Sequence, residues 1–285
     1  MNYAVSFALA SLAAAGCLDV VFKGYARKQR SRGVLIFGCG LVWLVLQSAY
    51  LAATDLRPSF SAVTLAYGIG AGILLVAANL ALVESLTRLD VSLGSTIYRL
   101  NTIGVVVLSF FFLGEDLGVV KLTGVGMGIG AVLLIYRRTV PEPTIPSLFV
   151  AIAIAASVTR AAYGVVTKAA IEAGADVQAI LLLSAACWIA GGLAYAVFRE
   201  RRLRITRQKV RYFLVAGVLV FAVVNTLIEA LKFGAASIVV PIANLSFVVA
   251  MLISAAIGLE VLSRRKWIAA AFAAASIFLL AQTAA

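Results

Sequence analysis

Residues 83–117, VESLTRLDVSLGSTIYRLNTIGVVVLSFFFLGEDL, come back as residues 228–262, IEALKFGAASIVVPIANLSFVVAMLISAAIGLEVL. The offset is 145 residues with no gap: Glu84 falls on Glu229, Ser92 on Ser237, Leu100 on Leu245, Ser109 on Ser254 and Glu115 on Glu260. The register holds beyond the stretch, with Trp43 on Trp188, Tyr50 on Tyr195, Lys23 on Lys168 and Lys121 on Lys266. Chance pairs of Ala or Leu are common in an apolar chain, but paired Trp, Tyr, Glu and Lys at one offset are not. The chain is an internal duplication.

Its composition is that of a bilayer protein. Hydrophobic residues make up 63% of the 285, charged residues 13%, and the mean hydropathy is +1.07, too little polar surface for a water-soluble globule of this size. A helix needs about 20 mostly apolar residues to cross the hydrocarbon. Ten segments qualify, at 4–22, 33–53, 62–86, 92–113, 119–136, 147–170, 177–198, 211–232, 237–257 and 266–282. Five belong to each copy, and an odd number of crossings makes the second copy enter from the opposite face. The expected fold is therefore all-α, a polytopic membrane protein of ten transmembrane helices in two inverted five-helix repeats. The repeats are placed at 1–140 and 147–285, joined by a linker, residues 141–146, in which Pro141, Pro143 and Pro146 rule out a continuing helix.

The net charge of +12 resides in the loops. Of the 24 Lys and Arg, 18 lie in the odd-numbered loops, among them Lys23 to Arg32 in the first and Arg199 to Arg211 in the seventh. The excess of basic residues places those loops in the cytoplasm and both termini outside, as in a bacterial inner membrane. No nucleic-acid partner is needed to explain it. The LAAAGC at residues 12–17 looks like the end of a secretory signal, but no basic segment precedes it and its repeat mate is an ordinary span, so it is read as a retained helix. Cys17, Cys39 and Cys187 sit singly inside spans and imply no disulfide framework.

Polar residues inside spans point to function. Arg160 near the middle of the sixth span is the most informative, because a mid-bilayer arginine is tolerated only against a polar interior or a partner carboxylate. Arg99 and Tyr98 in the fourth span, Asn79 in the third, Asn225 in the eighth and Asn244 in the ninth complete the candidate substrate site. Depth along the helices puts Asp19, Asn79 and Arg99 at one level, where they could meet. With no histidine in the chain, a transported proton would need a carboxylate, for which Asp19, Glu84 and Glu229 are candidates. The competing reading neutralises Arg99 with Asp19 or Glu84 and Arg160 with Glu229. Trp43, Tyr50 and their mates Trp188 and Tyr195 are either interface anchors or cavity lining. The fifth and tenth spans carry only small-residue seams, suited to packing or to a homodimer.

Two five-span copies, each ending in a short acidic loop (LGEDL at Glu115, GLEVL at Glu260) before a small-residue helix, resemble the EamA type of the drug/metabolite transporter superfamily. The resemblance implies a central cavity enclosed by spans one to four and six to nine, with spans five and ten peripheral. Two features depart from it. A proline common in the fourth span of each repeat is kept as Pro241 but is Thr96 in the first copy, and relatives are drawn with cytoplasmic termini, against the loop charges here.

The expected activity is secondary transport of a small polar metabolite, bearing an anionic group that arginine grips bidentately. A flippase or accessory subunit for an anionic lipid carrier is the alternative. An enzyme is disfavoured: the sequence has no metal-ligand cluster, no phosphate loop and no nucleophile beside a base, and no cofactor is expected.

Overall fold

The structure is a computed structural model describing residues 3–26, 30–85, 88–89, 96–135, 147–201, 203–258 and 263–283. The proline-rich linker, Ser92 and Glu260 lie outside the described residues. Among the described residues ten helices follow in order: α1 (Tyr3–Ala26), α2 (Arg32–Thr54), α3 (Ala62–Ser85), α4 (Thr96–Leu113), α5 (Val119–Ile135), α6 (Ser147–Glu172), α7 (Val177–Arg199), α8 (Arg207–Phe233), α9 (Ala236–Ala256) and α10 (Arg264–Gln282). Among the described residues there is no strand. In hydrocarbon every backbone polar group must be satisfied within its own segment, and only the helix does that for one continuous apolar stretch.

Eight of these helices are long and apolar enough to cross a membrane. The other two are the ones expected at the periphery. Helix α5 has 17 residues, and α10 opens on Arg264, Arg265 and Lys266. Polar side chains start several helices: Ser31 accepts from Val34 N, Asp176 from Gln178 N and Ala179 N, and Thr206 from Lys209 N.

Each helix finds its main partner in the other repeat. Helix α1 lies along α8 and α3 along α6, while α2 pairs with α7 and α5 with α10; α4 packs mainly on α6, and α9 mainly on α1. The direction of pairing follows from who touches whom. Gly33 abuts Ala196, Gly40 abuts Ile189 and Gln47 bonds Gln178, so α2 runs antiparallel to its own duplicate, α7. Gly124 meets Leu280 and Gly130 meets Phe272, so α5 runs antiparallel to α10. A helix opposed to its copy is the signature of an inverted repeat.

Glycine permits the α2–α7 approach. A Cβ at Gly192 would stand 2.4 Å from the Phe37 backbone nitrogen, which no rotamer change can move. Gly192→Val is therefore expected to destabilise the bundle by about 1–3 kcal/mol. Gly126→Ala on α5, where a Cβ meets open space, should leave melting unchanged or slightly raised. Equal melting of the two variants would refute this account of the seam. The other glycines of α5 are occupied within the chain, Gly128 by Ser276 and Gly124 by Leu279 and Leu280. A homodimer through these helices would have to use their outer faces, where Gly126 lies.

Candidate functional site

Two helices are broken at matching positions. In α4 the ladder slips at Leu100 (φ −68°, ψ 0°), and in α9 at its repeat mate Leu245 (φ −80°, ψ 11°). Pro241 within α9 lacks an N–H and weakens that ladder, whereas α4 breaks without a proline. The breaks face each other across the bundle and expose backbone and polar side chains at mid-depth, where such groups are affordable only beside a cavity.

That cavity measures about 210 Å³ and is lined by α1, α3, α4, α6, α7, α8 and α9. Helices α5 and α10 contribute nothing to it, as the resemblance implied; α2, also expected in its wall, contributes nothing either. Phe22 and Leu82, close to the ends of α1 and α3, mark its extent toward the face that carries the odd-numbered loops.

The Arg99 guanidinium makes three hydrogen bonds at the break. It donates to Asp19 Oδ2 at 2.5 Å, to the Asn244 carbonyl at 2.9 Å and to Ser246 Oγ at 3.1 Å. Ser246 donates in turn to Asp19 at 3.2 Å. The carbonyl at a half-helix C-terminus, a carboxylate and a hydroxyl together form a cation site, and a tethered cation fills it. Asn244 Nδ2 donates to Asn101 Oδ1 at 2.6 Å and to Thr102 Oγ1 at 3.0 Å, locking α9 to α4. Asn79, another lining residue, donates its Nδ2 to the Leu75 carbonyl at 2.8 Å.

Arg160 also lines the cavity. Its guanidinium lies over the Tyr163 ring, 5.0 Å from the centroid, and among the described residues no carboxylate comes within ion-pairing distance of it. The site thus holds a compensated pair, Asp19 and Arg99, and one uncompensated positive charge.

Six of the nine expected residues meet here: Arg160, Arg99, Asn79, Asn244, Tyr98 and Asp19. Three do not. Asn225, one residue beyond the lining Val224 and so turned by about 100° on α8, bonds Gln47 Oε1 at 3.0 Å instead. Glu84, in the last turn of α3, accepts from Arg199 at 2.5 Å and from the Tyr195 hydroxyl at 2.8 Å. Glu229 takes Lys232 at 2.6 Å on its own helix, which removes it as the partner proposed for Arg160. The reasoning from single spans missed Ser246 and Asn101 in the wall, and Trp188, left open there between interface anchor and lining, also stands in it. A signal for Ser246 and Asn101 was present, since they are repeat mates directly after Leu245 and Leu100.

On both faces carboxylates reach between the repeats and tie them together. On the even-loop face Glu115 accepts from Ala236 N at 2.7 Å, Ser237 N at 3.0 Å and Ser237 Oγ, capping α9. On the same face Asp176 accepts from Ser59 N at 2.9 Å. On the odd-loop face Glu200 accepts from Arg32 N at 2.8 Å and from Ser31 Oγ, drawing the end of α7 to the start of α2.

Comparison with known proteins agrees with this architecture. A solved structure described as "Crystal structure of protein" superposes with a TM-score of 0.83 over 99% of this chain and 97% of its own, at 16% sequence identity. Among curated proteins none matches. The description "EamA-like transporter family" fits residues 2–137 and again 147–282, one match per repeat. The protein is an integral multi-pass membrane protein, and the chain belongs to the EamA-like transporter family.

Proposed function

We propose that the protein is a secondary transporter that moves a small metabolite with a single anionic group by alternating access. The observation that carries this reading is Arg160, a cation in the cavity wall without a carboxylate. A carboxylate entering the cavity takes both guanidinium donors and cancels the one unbalanced charge. Tyr98 supplies a further donor and the Asn79 side-chain oxygen an acceptor for a polar group elsewhere on the metabolite, while Arg99 is held back by Asp19. A cavity of about 210 Å³ is below the usual size of drug-sized sites and suits a metabolite of few heavy atoms.

All ten helices cross the bilayer in this reading, with residues 1–140 and 147–285 related by a two-fold axis in the membrane plane. The axis lets the repeats exchange shapes about a fixed site. The basic odd-numbered loops lie in the cytoplasm of an inner-membrane protein. Cysteines placed at the exposed Ala173 and Arg204 test the orientation: an impermeant maleimide added to intact cells should reach the first and miss the second. The reverse pattern would turn the protein over.

A thermal-shift screen of the purified protein tests the substrate class. Small carboxylates should raise the melting temperature with concentration, because only ligands of the folded state do so. Their amides and matched cations should not. Stabilisation by cations alone would end the proposal.

A further inference from the structure

Trp43 and Trp188 hold the same position in the two repeats and touch each other, with ring centroids 6.1 Å apart and planes at 85°. Repeat mates can meet only on the axis that relates the repeats. Their surroundings nevertheless differ. Trp188 is part of the cavity wall, whereas Trp43, at 0% exposure, stands behind it and is not. Both indole N–H groups are buried with no acceptor among the described residues, a state an apolar interior disfavours. One helical turn beyond Trp43, toward the even-loop face, Gln47 is also at 0% exposure. It donates to Gln178 at 2.7 Å and accepts from Asn225 at 3.0 Å. The bundle interior therefore stays polar on the far side of the tryptophans.

We infer that the Trp43–Trp188 pair is the central partition of the transport path, and that Gln47, Gln178 and Asn225 line the half of the path that leads to the even-loop face. The inference rests on the alternating-access reading above and deepens it. In an inverted duplication the second conformation is reached when each repeat takes the shape of the other, so residue mates exchange environments. Trp188 now faces the cavity that extends toward the odd-loop face. In the exchanged conformation Trp43 faces a cavity reached from the even-loop face, and Trp188 is the one sealed. Parting the pair gives the Trp43 N–H access to the amide oxygens one turn away. The same amides meet the ligand on its way out, which assigns a role to Asn225 outside the present cavity.

The exchange is tested by accessibility. In a chain with Cys17, Cys39 and Cys187 replaced by alanine, Trp43→Cys and Trp188→Cys are made separately and treated with an impermeant maleimide in right-side-out and in inverted membrane vesicles. Trp188→Cys should react at least tenfold faster from the odd-loop face, and Trp43→Cys at least tenfold faster from the even-loop face. Reaction of both from one face, or no reaction of Trp43→Cys from either, overturns the inference. If a cysteine variant fails to fold, single-tryptophan proteins carry the test, since the chain has only three tryptophans. Trp267→Phe combined with Trp188→Phe or Trp43→Phe leaves one reporter. Iodide confined to one side of uniformly oriented proteoliposomes must then quench the two reporters from opposite sides, and quenching from the same side overturns the inference. Neither measurement uses a substrate, so its failure is distinct from failure of the carboxylate screen.

Discussion

Replacing Arg160 by alanine is expected to remove binding of an anionic ligand while leaving the fold nearly unchanged. No carboxylate among the described residues depends on Arg160, so its loss strands no buried charge. The fold forfeits only the contact with the Tyr163 ring, about 1 kcal/mol or less at a hydrated site. Binding loses much more. Hydrogen bonds to a charged group contribute about 1.5–3 kcal/mol each, so losing the pair weakens a carboxylate ligand by about 100-fold or more. Arg160→Lys keeps the charge but not the planar fork, and its affinity should fall between the two. Melting curves and ligand titrations on the three proteins separate the effects. A large loss of melting temperature in Arg160→Ala, with ligand binding retained in whatever folds, would make Arg160 a structural residue.

Asp19 and Arg99 should behave in the opposite way, as a pair whose separation damages both stability and binding. Their side chains are 35% and 21% exposed to the cavity. Breaking the pair should therefore cost less than the 3–5 kcal/mol of a fully buried one, about 2 kcal/mol. Asp19→Asn leaves the guanidinium on a neutral amide and raises the charge of the cavity wall from one to two. Tolerance of dianions should rise as stability falls. Arg99→Gln is the more damaging to function. Asp19 then faces a cavity whose remaining cation is Arg160, and it competes there with any incoming anion. The double variant Asp19→Asn/Arg99→Gln removes both charges and should recover most of the stability and the access to Arg160. A double-mutant cycle on melting and on ligand affinity measures this coupling. Additive effects would show that the ion pair holds nothing together.

The duplication was legible in the sequence because few residues of the Trp, Tyr, Glu and Lys types interrupt an apolar background, so their coincidences stand out. The helices were legible because the hydrocarbon imposes their length. The meeting of Asp19, Asn79 and Arg99 followed from depth alone, since antiparallel neighbours at equal depth have few places to go. Rotation about the helix axis was not legible. Val224 lines the cavity and Asn225 points away from it, and in a chain apolar on every face no polar stripe distinguishes the two. Glu84 and Glu229 stand outside the cavity for a related reason: both lie near helix ends, where loop and helix-end cations such as Arg199 and Lys232 reach them first. The break in α4 had no local mark, for Thr96 gives no reason to interrupt a helix. It is visible only through the repeat, as the shadow of the proline-weakened α9.

The pairing of every helix with one from the other repeat bears on how the chain is made. Ser11 donates to the carbonyl of Val223, 212 residues further on, and at the usual pace of synthesis the ribosome needs roughly 10–40 s to add that length. During this interval α1 has no neighbour on the face it will bury, and the same holds for α2 before α7 and for α5 before α10. The nascent first half must rest in lipid with its glycine seams uncovered until the second half arrives. Two half-chains synthesised together in one membrane would meet no such delay and could assemble side by side.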